Sequence, residues 1–344
     1  MSGCSSIGPD TVERDRFDYN TAISNSWKEQ TLLNIIKLRY ADMPLFVEVA
    51  SIVSGYTFER SVNLNGTLSS DSAIQGNFFS MGSDGKFTDR PTITYRPITG
   101  QQFNKSFMTP IPPKAILFLM QSGWPADLIL QLTVDSINGM RSRVTGGVSQ
   151  RSGDADFYRV LSLFRQVQKS GSVGMRILKN KDMQETILMF FHRKDITPEM
   201  EEAMNELNNL LGLKTGPGEI LISYGYIPST DSEIAMLTRS MMQIMIELAT
   251  QVDVPAIHVD EGRTIPASRQ TNEDGTFTGR TITINHSVDK PENAFTAVRY
   301  RDYWFWIDDR DFFSKRTFAF LMILFSLTET GGSEGLPLVT IPAS

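Results

Sequence analysis

The apolar positions of the chain change period several times, and each change marks an expected element. Leu32, Ile35 and Ile36 recur at helical spacing, with Leu33 and Leu38 widening the face. They predict a helix that opens at Ser26 and ends near Tyr40 or Asp42, ahead of Pro44. Ser26, with Glu29 three residues on, has the form of a capping box. A second short helix is expected over 45–53, stopped by Gly55. From 56 to 87 the chain turns to Ser, Asn, Gly and Thr, and Val62, Leu64 and Leu68 alternate with polar neighbours. Antiparallel strands are expected near 57–65, 67–80 and 91–97, with Asn65-Gly66 and Ser83-Asp84-Gly85-Lys86 as turn signals.

Pro110, Pro112 and Pro113 make a rigid corner after a short helix over 101–108. Helices are expected over 114–121 and 126–138, the second opened by Pro125 and carrying Leu128, Ile129, Leu132 and Ile137 on one face. The segment VTGGVSQRSGD at 144–154 has nothing apolar larger than valine and reads as a linker. A helix then runs to Lys169 with Val160, Leu161, Phe164 and Val167 on one face. Strands follow at 173–178 and 185–191, the latter a continuous apolar run suited to a central position. Thr197-Pro198-Glu199 opens a helix that Gly212 ends, and 219–226 is a further strand.

This α-β-β-α-β succession predicts a two-layer sandwich. A long helix is expected over 231–252, with strand material at 254–259, 280–286, 295–301 and 303–307, a polar hairpin tip over 261–279, a buried helix over 314–328 and a last strand at 336–341. The fold class is therefore α+β: mixed helices and largely antiparallel sheets, with a two-layer α/β sandwich in the C-terminal half. The expected organisation is a tether at 1–20, an α+β domain at 21–143, a linker at 144–153 and a second α+β domain at 154–344.

Composition narrows the function more than the fold. The net charge of −6, with no Lys/Arg run longer than two, gives no electrostatic footprint for nucleic acid. The most apolar run, FAFLMILF at 318–325, falls far short of the ~20 residues that a membrane span needs. The one cysteine, Cys4, excludes an internal disulfide. It sits in Ser2-Gly3-Cys4-Ser5, which resembles the end of a bacterial lipobox, though no apolar segment precedes it. The polar stretch 5–20 reads as a flexible spacer behind it.

Catalytic signatures are missing: the chain contains no GxSxG, HExxH, GxxxxGK[ST] or GxGxxG. His192, His258 and His286 share no ligand spacing, so neither a metal nor a cofactor is expected and no catalytic residue is assigned. The densest polar cluster is Arg299, Arg301, Asp302, Asp308, Asp309, Arg310 and Asp311, around Tyr303-Trp304-Phe305-Trp306. Its carboxylates suit either acid–base chemistry or, between a strand and a helix, turns and caps paired with the arginines. Tyr303, Trp304 and Trp306 are candidate interaction residues, as is Trp124 beside Pro125.

Two segments, TPIPPKAILFLMQSGWPADLILQLTVDSINGM and YRDYWFWIDDRDFFSKRTFAFLMILFSLTE, resemble uncharacterised bacterial lipoproteins of the outer membrane. The resemblance implies no activity. Together with Cys4 it leads to the expectation of a lipid-anchored, periplasm-facing structural or interaction protein of an envelope assembly. Its partners would be the membrane, through a lipidated Cys4, other envelope proteins, and a second copy of itself if it forms a homo-oligomer. The rival readings are a hydrolase using Asp308, Asp309 or Asp311, and a soluble cytoplasmic binding module in which Cys4 is incidental.

Overall fold

A computed structural model of the chain describes residues 7–53, 56–67, 78–89, 92–145, 151–171, 173–179, 185–191, 197–214, 220–267 and 281–328. The fold is α+β, with helices and mostly antiparallel sheets. It divides into two compact units. Among the described residues, Val47–Ile98 forms one, and it interrupts the other, which is made of the segment ending at Phe46 and the segment from Thr99 to residue 328.

Helix α1 runs over Ile7–Arg39. The flexible tether expected up to residue 20 is thus helical from Ile7, and Ser26 lies inside the helix instead of capping it. The longer helix begins where the sequence allows it, since Pro9 falls in the first turn, where proline is tolerated. Leu32, Ile35 and Ile36 are fully buried, as the spacing predicts. The helix ends where Ala41 takes a positive φ of 54° and Asp42 N–H reaches back to Lys37 O. The Asn34 amide fixes the next segment, donating to Leu45 O and accepting from Leu45 N.

The interrupting unit is built of strands. The helix expected over 45–53 is instead strand β1 (Val47–Val53), rich in the β-branched residues that favour extended backbone. β2 (Tyr56–Thr67) and β3 (Phe78–Asp89) form a long antiparallel ladder, and β4 (Thr92–Pro97) pairs with β1. Asn65-Gly66 and 83–86 are not turns. They stay in register within β2 and β3, and the connection between those strands lies outside the described residues.

The larger unit continues with α2 (Gly100–Phe103), which passes into one π-helical turn over Asn104–Met108. α3 (Pro113–Gln121) and α4 (Ala126–Thr133) follow. α4 stops five residues earlier than its apolar pattern suggests. Val134 begins β5 (Val134–Ile137), which turns through Asn138 (φ 46°) and Gly139 (φ 83°) into β6 (Met140–Arg141). Two left-handed residues in succession make the tight hairpin that Asn-Gly favours. The expected helix–strand succession is present as α5 (Ala155–Lys169), β7 (Val173–Lys179), β8 (Glu185–Phe191), α6 (Pro198–Leu211) and β9 (Ile220–Tyr224). α6 opens with Thr197 accepting from Met200 N and closes on Gly212 at φ 68°.

The long helix expected over 231–252 is two elements, β10 (Glu233–Thr238) and α7 (Met241–Ala249). The first run is buried on both faces between two strands, where an apolar pattern has no helical meaning. Ser240 then restarts the chain with a capping box to Gln243. One sheet orders the strands β6-β5-β10-β9-β8-β7, with only β9 and β10 parallel. Their connection is short for a parallel pair. Buried Glu233 holds it by accepting from Ser223 Oγ and Ser229 N; the Ser223 hydrogen bond is the main cause that keeps this carboxyl below its ordinary range.

The sheet takes in β5 and β6 from before residue 144 and β10 from after it. The segment 144–153 therefore does not separate two domains. Val144 and Arg151 pair across it as an isolated bridge, drawing its ends together.

After α7, the segment expected as a strand at 254–259 is a helix, α8 (Ala256–Asp260), opened by Pro255. β11 (Asn285–Ser287), β12 (Ala294–Tyr300) and β13 (Tyr303–Asp308) form a second sheet in the order β11-β13-β12. Only the end of the strand expected over 280–286 is used. Arg301 (φ 47°) and Asp302 (φ 70°) make the β12–β13 turn. α9 (Phe312–Thr328) carries the fully buried Phe318, Phe320 and Leu321. No helix among the described residues is long and apolar enough to cross a membrane. The expected last strand at 336–341 and most of the polar tip at 261–279 lie outside the described residues.

Candidate functional site

The sequence-predicted residues do not gather into one site. Cys4 lies outside the described residues. Trp124 is half-buried against Phe320, with ring centroids 5.2 Å apart, and its carbonyl accepts from Gln168. Its ring thus packs on α9 of this chain. β13 alternates, so Tyr303 and Phe305 face one way and Trp304 and Trp306 the other. Tyr303 meets the rings of His258 and His286 edge-on at 5.1 and 6.0 Å. Trp304 lies under the Lys290 ammonium at 5.4 Å, and both tryptophans are half-buried.

The carboxylates of the acidic turn each have a separate partner. Asp308 accepts from the backbone N–H and guanidinium of Arg310, which holds its carboxyl down at about 2. Asp309 pairs with Lys315 at 2.7 Å. Asp311 stands at the N-terminus of α9 and accepts from Ser314 N and Oγ at 3.0 and 2.6 Å. Arg299 pairs with Asp302 at 3.5 Å in solvent, and Arg301 lies over the rings of Tyr40 and Tyr300. These are turn and cap interactions. A hydrolytic site needs carboxylates that converge on a reacting atom, and these diverge. No group of acids, histidines and cysteines among the described residues could hold a metal ion.

The best-formed polar site is elsewhere. A cleft of about 310 Å³ opens between the end of α4, the start of α5, α7 and the start of α9. Arg239, at the end of β10, is its centre. Its side chain is 7% exposed. Nη1 donates to the carbonyls of Gln131 and Leu132 at 3.1 and 3.3 Å. Nη2 donates to Ser142 Oγ at 2.5 Å and to Arg143 O at 3.0 Å. The carboxylate of Asp135 is 3.8 Å from Nη2 and leans instead toward Arg151, at 3.2 Å. Burial lowers the guanidinium from its ordinary value, and the negative charges of Glu247 and Asp135 oppose that shift.

Glu247, on α7, faces the same cleft. Its carboxylate accepts from Thr145 N at 3.0 Å and from the Thr145 hydroxyl, which also meets Thr250 Oγ1 at 2.8 Å. The Tyr158 hydroxyl accepts from Arg143 N at 3.3 Å, and burial pushes its phenol up. Gly153 packs so closely that a Cβ there would lie 2.7 Å from the Tyr158 ring and 2.8 Å from Arg143 N. Thus the described ends of the stretch expected to be a linker are held beside the cleft, Thr145 by Glu247, Arg151 by Asp135 and Gly153 by its close contact with Tyr158. Gln251 bonds Thr281 through both ends of its amide, and Phe157, Leu132 and Ile244 supply buried apolar surface. Phe313, 44% exposed, stands at the edge.

A second buried polar contact joins α1 to α8, where Tyr40 Oη and His258 Nδ1 are 2.7 Å apart. Burial pushes the Tyr40 phenol up to about 12. Burial, then the nearby Arg263, lowers His258 from its ordinary value.

None of Arg239, Glu247, Tyr158 or Gly153 stands in a motif. The available signal was a single charge inside an apolar run: Arg239 separates EIAMLT from MMQIMIELA, and Glu247 is the only charge in the second run. Comparison with protein-family models, curated proteins and solved structures finds no match to this chain.

Proposed function

We propose that the chain is a lipid-anchored protein of the bacterial envelope that faces the periplasm from the outer membrane and works through protein contacts. One observation carries this reading. The chain's only cysteine stands three residues before a helix that is exposed over residues 20–26 and whose last third is buried in the larger unit. At ~1.5 Å per residue, the 33 residues of α1 extend to about 50 Å. A lipid on Cys4 would therefore tether a stiff spacer, where the sequence suggests a slack one. Residues 20–26 are exposed around the whole circumference, and burial begins at Thr31.

A single acyl chain binds a membrane only marginally, so stable attachment through Cys4 requires the multiple chains of a mature bacterial lipoprotein. Trp304 and Trp306, half-buried on the β13 face opposite Phe305, are the side chains we assign to partner contact. The test is metabolic acyl labelling of the full-length gene product beside Cys4→Ala. Label that depends on Cys4, with the protein in the outer-membrane fraction, supports the reading. A product whose labelling is unchanged by Cys4→Ala, or that carries no label, removes the anchor and the address together.

A further inference from the structure

We propose that the interrupting unit is a membrane-crossing module: its β2–β3 ladder spans a lipid bilayer and pairs at its edges with the same ladder of further copies, so that several copies close one β-barrel. The inference shares the outer membrane with the reading above and does not depend on Cys4.

The first ground is register. β2 and β3 pair without a bulge from Tyr56↔Asp89 to Thr67↔Phe78. Successive residues of a strand alternate between the faces of its ladder, so this register assigns each position to a face. Tyr56, Phe58, Val62 and Leu64 of β2 share one face with Phe79, Met81 and Phe87 of β3. On the opposite face Phe78 is the only large apolar residue, and Glu59, Asp84 and Lys86 stand there with the exposed Asn63 and Asn65. The shorter β1–β4 ladder makes the same division. A bulge between Val49 and Ser51 keeps Ile52 on the face of Val49, with Ile93 and Tyr95, while Glu48 and Arg96 pair on the other. Without that extra residue Ile52 would fall on the polar face. Ile93 and Tyr95 are 39% and 60% exposed, so this apolar face is open. The apolar face takes the even positions from Ile52 to Gly66 and the odd positions from Phe79 to Tyr95, one parity per side through both ladders.

The second ground is length and layout. At ~3.3 Å per residue, the 12 residues of each strand run about 40 Å, and at the tilt of about 40° usual in barrels they cross a hydrocarbon core of about 30 Å. Along the apolar face Tyr56, Phe58 and Phe87 stand at one end and Phe79 at the other, with Val62, Leu64 and Met81 between. Lipid-facing bands of membrane barrels are built this way, an apolar belt between aromatic girdles, and their opposite face is polar because it lines the lumen. Arg60 is the one charge inside the band. It lies one step along the face from Phe58, a depth from which an arginine extends its head group to the interface. A lone two-stranded ladder is at best marginally stable in water, and in hydrocarbon every backbone group needs a partner. Among the described residues β2 and β3 pair only with each other. Lipid on the apolar face and the same ladder of neighbouring copies on the outer edges meet both needs. With two strands per copy, and about eight strands in the smallest barrels, closure takes at least about four copies.

The test uses the full-length chain with Cys4→Ala, which leaves no other cysteine. Val62→Cys, Asn63→Cys, Leu64→Cys and Asn65→Cys are made singly in it and labelled with a polarity-sensitive dye. Each is added to calcein-loaded vesicles of phosphatidylethanolamine and phosphatidylglycerol. The expected result is a period of two: dyes at 62 and 64 quenched by a lipid-borne nitroxide, dyes at 63 and 65 by aqueous iodide, with calcein released. In unlabelled chains Leu64→Asp should lower that release on the order of tenfold and Asn63→Asp should leave it unchanged. If Leu64→Asp fails to fold, the four labelled positions, compared with one another, still decide. Iodide reaching all four alike overturns the proposal. So does nitroxide reaching all four alike without calcein release, which is adsorption to the surface. Dyes at 62 and 64 that become buried on dimerisation without vesicles overturn it too, and give the apolar face to a second copy in solution. Because Cys4 is absent throughout, failure here leaves the lipid anchor standing, and failure of the acyl labelling leaves this inference standing.

Discussion

Asp308, Asp309, Arg310 and Asp311 crowd into one turn of the chain, whereas Asp135, Arg143, Arg151, Arg239 and Glu247 come together from distant segments. In the turn each carboxylate finds a partner within six residues, and the Arg310 side chain is 79% exposed. In the cleft the partners are about a hundred residues apart, as for Arg239 with Ser142 and Glu247 with Thr145, and Arg239 is 7% exposed. Sequence density of charge therefore points to the place where water screens it and local geometry satisfies it. The stronger electrostatics lie where single charges interrupt apolar runs. Exposed pairs contribute about 0–1 kcal/mol, while removing one member of a buried charged network costs several.

That contrast can be broken at its strong end first. Arg239→Met should lose about 3–5 kcal/mol of unfolding free energy, because it leaves four oxygen acceptors without their donor and Asp135 with Arg151 alone. Urea unfolding measures it, and a loss below 1 kcal/mol would place the cleft in the same class as the turn. Gly153→Ala should cost about 1–3 kcal/mol, since its Cβ meets the backbone N of Arg143 as well as the Tyr158 ring. A neutral result would show that the 144–153 segment is only lightly held.

Smaller effects belong to the turn. Asp311→Ala removes the cap of α9 and should cost about 1 kcal/mol. Asp308→Asn should lower the urea midpoint only slightly despite the strong pairing with Arg310, because the Arg310 end of that pair is in solvent. Acid titration separates buried from exposed groups in one experiment. His258 has a folded value below its ordinary 6.5, so its contribution is intact above pH 6.5 and is lost as pH falls from there through the depressed value. Asp308 is depressed from 3.8 to about 2, so its contribution persists far lower and is lost only as pH falls through that range. A His258→Gln variant that retains the upper phase would assign that phase to another group.

The outcome for each expectation follows from what fixes each element. α5 to β9 was legible because caps, glycine stops and apolar period agree there. The 231–252 region is ambiguous in sequence because apolar residues buried on both faces of a strand carry no period, so the pattern of β10 merges with that of the helix after it. The 126–138 region is ambiguous in the same way, although Asn138-Gly139 is a hairpin signal in plain view. A glycine-serine stretch reads as a linker from composition alone. Here its described ends are held, because their anchors, Asp135 and Glu247, lie outside it and the close approach of Gly153 is a property of the folded chain. The cleft was invisible for that reason: no two of its determining side chains share a motif.

Helix α1 has one consequence in time rather than in space. Its buried residues are sealed by strands made at the other end of the chain: the Tyr300 hydroxyl reaches Asp42 across a separation of 258 residues, and Tyr40 packs on Phe305. At roughly 5–20 residues per second, synthesis of the intervening chain takes on the order of tens of seconds. Through that interval Leu32, Ile35 and Ile36 have no completed surface to meet. The nascent chain therefore carries these apolar side chains unsealed from the completion of α1 until its last sheet is made.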